Sequence, residues 1–345
     1  MLRNEWLFGL ILLLVVWTLP LFPGSASAEP MTPWEKARAA TFAKLGEVPR
    51  PDAPLKIGTV LVTLSNPFWV SMKEGYENAA REFGVTIDVQ AAPQENSVAN
   101  QLNILENMVA KDYDALCAHT ITARNLIPAF VKAARKGIPV VSDNRVDLAA
   151  AHEAGAEPIT LGLVDFYGQG RLGAEYIART LSEKGGGKVA IIEGLPGAPQ
   201  SEARTRGAKD AFEAFPDVEM VSSQPGNWDR AKAFSVTQNL IQAHPDLAGI
   251  QCANDIMALA AVEAIEAAGK TGRIMVVGID LIPQGKEAIR QGRLAGSVAF
   301  SPFVIGETVA RAAIAAAQGL KIPEDLEVVS VLATKDNIGR LADWK

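Results

Sequence analysis

From Leu55 onward, short apolar runs alternate with longer segments of helical period, and this alternation restricts the fold more than any other feature of the chain. Strand-like runs fall near 56–62, 85–90, 114–118, 138–142, 159–163, 188–193, 248–253, 274–279 and 295–300. Between them lie helical patterns such as Pro67 to Phe83, Ser97 to Lys111, Gly168 to Leu181, Asp229 to Ala243 and Asp255 to Ala268. Units of this kind bury both faces of their strands, so they demand parallel sheets covered by helices on each side. Gly185-Gly186-Gly187 interrupts the series, which then restarts. The expected fold is α/β, with two parallel-sheet, Rossmann-like lobes, in keeping with a chain longer than one core usually holds.

The residues before Leu55 read differently. Arg3, the apolar run Leu7 to Phe22 and the small-residue site Ala26-Ser27-Ala28 make residues 1–28 a cleaved secretory signal. Pro20 breaks the run, which argues against a membrane span, and no cysteine near the cleavage site offers a lipid anchor. The mature chain is expected to be soluble outside the cytoplasmic membrane. Residues 29–54 then hold one helix and a linker. Thr32-Pro33-Trp34-Glu35 has capping-box spacing, Trp34, Ala37, Phe42 and Leu45 recur at helical intervals up to Gly46, and Pro49, Pro51 and Pro54 stiffen the linker into the first strand.

Composition and motifs exclude several functions. The net charge of −6, without any basic run, is unsuited to nucleic acid or an anionic membrane surface. Cys117 and Cys252 lie inside apolar strands of different halves and read as buried small hydrophobes in preference to a disulfide. His119, His152 and His244 form no metal-ligand or triad spacing, and each reads as a surface or loop residue. Gly269-Lys270-Thr271 lacks the glycine a phosphate loop needs, since Ala264 stands there, and it follows a helix. Gly194-Leu195-Pro196-Gly197 does not match dinucleotide spacing, and there is no Gly-x-Ser-x-Gly elbow. The expectation is a binding protein without cofactor or metal, and not an enzyme.

Val62 to Trp69 points to what it binds. An apolar strand runs into Asn66, an N-cap, and Pro67, a first helical residue, which places Phe68 and Trp69 at a strand-to-helix corner. In open α/β sheets ligands bind at the carboxyl ends of strands, so two rings beside a polar cap suit a ligand with a flat apolar face. The competing reading is that both rings belong to the core.

Six segments, in order, carry a resemblance: Leu64 to Ser71, Asp143-Asn144-Arg145, Glu202 to Gly207, Gln224 to Arg230, Ala253 to Leu259, and Val276 to Asp280. From about Leu55 to the C-terminus the chain resembles the sugar-binding branch of the bacterial periplasmic binding proteins that feed ABC importers, ribose-binding proteins being the nearest type. The resemblance implies the type I fold, two lobes joined by a three-strand hinge, with 55–164 plus 302–330 in the first lobe and 165–301 plus 331–345 in the second. It implies a monomer that closes on a small sugar, polyol or sugar acid and presents it to a permease in the inner membrane. A chemoreceptor or sensor kinase is the alternative partner. It also implies the ligand-binding set Asn66, Phe68, Trp69, Asn144 and Arg145 from one lobe and Arg204, Trp228, Asn254 and Asp280 from the other, with Phe300 near the third crossover. Asn254 reads equally as the N-cap of the following helix.

This chain has Val62 where ribose binders have serine, Asn144 where they have aspartate, and Phe300 where they have glutamine. Losing three polar partners argues against ribose. With Arg145 and Arg204 facing Asp280 alone, unless Asp143 turns inward, the expected ligand is less hydroxylated, partly apolar or negatively charged. A deoxy sugar, a polyol, a sugar acid or an aromatic acid would fit.

Overall fold

The computed structural model describes residues 31–324 and 326–345, so the signal-sequence reading of 1–28 lies outside the described residues. No helix among those residues is long and apolar enough to cross a membrane.

The first sheet holds β1 (Lys56–Leu61), β2 (Thr86–Ala91), β3 (Ala115–Ala118), β4 (Val140–Ser142) and β5 (Ile159–Thr160), in the order β2-β1-β3-β4-β5 and parallel throughout. The second holds β6 (Gly187–Glu193), β7 (Val218–Pro225), β8 (Leu247–Cys252), β9 (Met275–Asp280), β10 (Gly296–Ala299) and β11 (Val331–Thr334), in the order β11-β10-β9-β8-β6-β7. Only β11 runs antiparallel among these pairings, against β10. Central strands such as β3 and β10 are buried along their whole length.

Two strands, β7 and β11, lie outside the strand-like runs read from the sequence. β7 and β11 are edge strands, and β7 carries Glu219, Ser222, Ser223 and Gln224 on partly exposed positions. An edge strand is half solvated, so its sequence loses the continuous hydrophobic signal that both-face burial imposes.

The chain passes between the sheets three times, after β5, after β10 and again before β11. On the second passage α11 (Pro302–Ala317) returns to pack on α2 (Pro67–Phe83) beneath the first sheet. Reciprocal glycines set that contact. A Cβ on Gly75 would lie 2.1 Å from the Phe303 carbonyl oxygen, and one on Gly306 would lie 2.1 Å from that of Met72. In the second lobe α6 (Phe166–Ser182) and α7 (Pro199–Glu213) approach as closely, through Gly170 against the Arg204 carbonyl.

The N-terminal helix α1 (Pro33–Leu45) has the capping box its sequence announces: Thr32 Oγ1 accepts from the Glu35 amide at 3.2 Å, and the Thr32 amide donates to Glu35 Oε2 at 2.9 Å. It lies on α11. Arg38 makes a two-pronged ion pair with Glu307 at 2.6 and 2.7 Å, and the Glu307 carboxylate is fully buried. Trp34 Nε1 donates to Ser301 Oγ at 3.1 Å. Cys117 and Cys252 are buried free thiols on different sheets.

Candidate ligand cleft

The carboxyl ends of β1, β2, β3 and β4 face those of the second sheet across a cavity lined from both sides. On the first side Asn66 caps α2, its Oδ1 accepting from the Phe68 amide at 3.0 Å. Its Nδ2 donates to Glu95 Oε1 at 2.9 Å, and Trp69 Nε1 donates to the same oxygen at 3.0 Å. One carboxylate thus fixes both the amide and the indole. Phe68 and Trp69 meet edge to face with centroids 4.8 Å apart, and Phe68 continues to Phe300 at 5.1 Å. Both rings are at once core and cavity wall.

His119 follows β3 and Asp143 follows β4, and His119 Nδ1 lies 2.8 Å from Asp143 Oδ2. The Trp69 ring stands 4.5 Å from the imidazole. His119 Nε2 and Asp143 Oδ1 are both buried and have no hydrogen-bond partner in the protein. Buried polar atoms of this kind ordinarily find partners, so these two are available to a ligand's hydroxyls.

On the second side Arg204 leaves α7 fully enclosed. Its Nε donates to Gln169 Oε1 at 3.0 Å, its Nη1 to the Ala253 carbonyl at 2.8 Å, and its Nη2 stands 3.8 Å from Asp280 Oδ1. The guanidinium lies over the rings of Phe166 and Phe300 at 5.4 and 5.5 Å. Trp228 enters the cleft on a pair of left-handed residues, Asn227 at φ 57° and Trp228 at φ 60°, with its indole seated on Gly194, where a Cβ would fall 2.1 Å from the ring. Asn254 both caps α9 (Asp255–Ala267), accepting from the Met257 amide at 3.0 Å, and lines the cavity, so the two readings of that residue hold together.

Eight of the sequence-derived residues meet around this cavity: Asn66, Phe68, Trp69, Arg204, Trp228, Asn254, Asp280 and Phe300. Two are placed otherwise. Beyond β4 the Ser142 hydroxyl donates to the Asn144 carbonyl at 3.0 Å, a turn that brings Asp143 inward and carries Arg145 to the exposed surface. Asn144 is buried beside the cavity without lining it, its Nδ2 donating to the Thr120 carbonyl at 2.8 Å and to Gln200 Oε1 at 3.0 Å. Sequence reasoning missed Glu95, His119 and Gln200; His119, expected as a surface or loop residue, sits in the loop after β3 but is buried in the cleft. The available signal was position, since His119 directly follows a strand's carboxyl end and Glu95 lies a few residues beyond another.

The charge balance is also corrected. With Arg145 outside, the lining has one guanidinium, Arg204, one imidazole, and three carboxyl groups, Glu95, Asp143 and Asp280. Burial pushes Glu95 above its ordinary value, against the hydrogen bonds from Asn66 and Trp69. Burial raises Asp280 well above the usual carboxylate range, opposed by Arg204 and reinforced by Asp255 and Glu95. Burial lowers Arg204, which these same carboxylates counteract. Three carboxyl groups around one guanidinium leave no surplus of positive charge to hold an anionic ligand. Glu95, His119 and Asp143 add to the lining polar groups beyond those absent at Val62 and Phe300.

Comparison with known proteins agrees with this architecture. The periplasmic binding protein domain pattern matches residues 57–321. The D-allose-binding periplasmic protein of Escherichia coli is 37% identical over 290 residues, covering 82% of this chain and 93% of that protein. A ribose import binding protein of Bacillus subtilis is 33% identical over 279 residues, covering 81% of this chain and 87% of that one. The crystal structure of an ABC transporter periplasmic solute binding protein from Actinobacillus succinogenes, with bound D-allose, superposes with a TM-score of 0.76 at 36% identity, covering 83% of this chain and 99% of that one. Two facing α/β sheets, a cleft at their strand ends and a match across most of the chain place this protein in the periplasmic binding protein family.

Proposed function

We propose that this protein captures a neutral monosaccharide, with D-allose the first candidate and D-ribose the second, and hands it to an ABC importer. The observation that carries this reading is the cavity itself: Phe68, Trp69 and Trp228 wall it, and Glu95, Asp143, Asp280, Arg204 and the three amides Asn66, Gln200 and Asn254 line it. A pyranose presents C–H faces to rings and several hydroxyls around its edge, and each carboxylate or guanidinium can engage hydroxyls in pairs. The relatives named for D-allose and the D-allose complex set the order of candidates.

The protein binds and releases its ligand without altering it. Residues 55–164 with 302–330 act as one lobe and 165–301 with 331–345 as the other, closing about the three passages of chain between the sheets. Asn66, Phe68, Trp69, Trp228, Arg204, Asn254, Asp280 and Phe300 contact the sugar, joined by Glu95, His119 and Asp143. The leader ending at Ala28 is removed on export, and the mature protein works in the periplasm. Calorimetric titration of the mature protein with D-allose, D-ribose, other neutral hexoses and the corresponding sugar acids tests this reading. Saturable binding of a neutral sugar is expected; binding of acids alone would overturn it.

A further inference from the structure

Asp280 is held in the cleft by a backbone that no ordinary residue favours. It closes β9 with φ 119°, and Leu281 follows at φ 55°. Such conformations persist only where the surroundings hold them. Ile282 and Pro283 then open α10 (Pro283–Arg290), and Ile282, as N-cap, has no side chain that could accept a hydrogen bond from the turn.

The acceptors come from elsewhere in the second lobe. Asp255, the first residue of α9, turns its fully buried carboxylate under this turn. Its Oδ2 accepts from the Ile282 amide at 3.0 Å, and its Oδ1 accepts from the Ser297 hydroxyl at 2.7 Å. Ser297 Oγ in turn accepts from the Leu281 amide at 3.0 Å. One carboxylate thus secures, directly and through one hydroxyl, both amides that follow Asp280. Two glycines leave it room. A Cβ on Gly278 would lie 2.2 Å from Oδ1, and one on Gly285 2.4 Å from Oδ2. Asp255 does not line the cavity.

We infer that Asp255 is a positioning residue for ligand binding: through Ser297 and the Ile282 amide it holds the left-handed Asp280–Leu281 turn that aims the Asp280 carboxylate into the cleft beside Arg204. This rests on the reading of the cleft as a sugar site. The role is geometric, and it needs acceptors at two places more than it needs a full charge. Burial raises the Asp255 carboxyl to about 7, against the hydrogen bonds it receives and Arg204, which accords with a group kept for its shape. Asparagine can play the same part: its oxygen accepts from the Ile282 amide, and its NH₂ donates to Ser297 Oγ, which retains a lone pair for the Leu281 amide.

Asp255→Ala, Asp255→Asn and Ser297→Ala in the mature protein test this, with D-allose affinity measured by calorimetry, the melting temperature by scanning calorimetry, and amide exchange at Leu281 and Ile282 by mass spectrometry. Asp255→Ala is expected to weaken D-allose binding by on the order of thirtyfold, as loss of hydrogen bonds to a charged group does. Asp255→Asn is expected to restore affinity to within about threefold of the parent. Ser297→Ala should weaken binding by about fivefold and speed exchange at Leu281. A purely structural role would lower the melting temperature of Asp255→Ala while leaving the affinity of the folded protein and the exchange at Leu281 and Ile282 unchanged, and that result would overturn the inference. If Asp255→Ala does not fold, Ser297→Ala decides alone: unaltered affinity and unaltered Leu281 exchange overturn it. If the parent protein takes no neutral sugar, the sugar reading fails, and exchange at Leu281 and Ile282 still decides whether Asp255 holds the turn.

Discussion

Asn144 Nδ2 donates to Gln200 Oε1 at 3.0 Å, so a buried side-chain hydrogen bond joins the loop after β4 to the first turn of α7 across the cleft. Asn144 also donates to the Thr120 carbonyl, which keeps it placed on its own lobe when the lobes part. On the proposed closing motion, this bond forms only when the lobes meet. A neutral buried hydrogen bond contributes about 1 kcal/mol, so Gln200→Ala should weaken sugar binding by roughly fivefold. Small-angle scattering should show a larger fraction of open molecules at subsaturating sugar, and unchanged scattering with unchanged affinity would mean that this contact plays no part in closure.

Trp228 supplies one apolar face of the cavity from a left-handed backbone position. Trp228→Ala removes a large buried ring, with an expected loss of about 3 to 5 kcal/mol in stability, together with the surface a sugar's C–H face would meet. The melting temperature should fall and sugar affinity should drop by more than about tenfold. Trp228→Phe should recover most of the stability but only part of the affinity, and full affinity in Trp228→Ala would remove this wall from the binding site.

Three buried carboxyl groups, Glu95, Asp255 and Asp280, have values raised by burial, Asp255 to about 7. In the unfolded chain such groups titrate near 4, so between about pH 4 and 7 the folded protein binds more protons than the unfolded one. Their contribution to stability is therefore fully present below about pH 4 and is lost as pH rises through the raised values. The ligand-free protein should melt at a higher temperature at pH 5 than at pH 8. Asp255→Asn should flatten that dependence, and a melting temperature that rises over this range would show that these carboxyl groups do not govern it.

Glu307 on α11 is fully buried and accepts from Arg38 on α1 and from Asn78 on α2, the latter at 2.6 Å. Arg38→Ala leaves that carboxylate short of its counter-charge. Breaking a buried pair costs up to about 3 to 5 kcal/mol, the lower part of that range applying here because the Arg38 side chain is partly exposed. The melting temperature should fall while sugar affinity stays the same, since neither residue lines the cavity. Arg38→Ala/Glu307→Gln should regain part of the loss, because it removes the unpaired charge.

Much of this molecule is legible along the chain because the signals are local. Alternating apolar runs report strands buried on both faces, so β1, β3, β8 and β9 are visible at once, and Asn66-Pro67 marks the start of α2 to the residue. Thr32 and Glu35 announce the capping box of α1. Asn66, Phe68 and Trp69 are legible from the strand-to-helix corner, whereas Arg204, Trp228, Asn254, Asp280 and Phe300 come from the family resemblance. Edge strand β7 stays hidden because its half-solvated sequence carries no continuous apolar run, and in β11 the run Val331-Leu332-Ala333 is too short to stand out.

What only the tertiary structure decides is which way a side chain turns after its strand ends. Asp143, Asn144 and Arg145 are consecutive, yet one enters the cavity, one bridges the lobes and one faces solvent, because Ser142 fixes the turn by a bond to the Asn144 carbonyl. That outcome leaves Arg204 as the one guanidinium of the lining, beside three carboxyl groups, in place of the expected pair of arginines. His119 and Glu95 become site residues through partners 24 and 29 positions away, Asp143 and Asn66. Hydrophobic period and capping are properties of neighbouring residues and can be read in order, whereas the sign and shape of a cleft arise where distant strand ends converge, and only the folded chain brings those together.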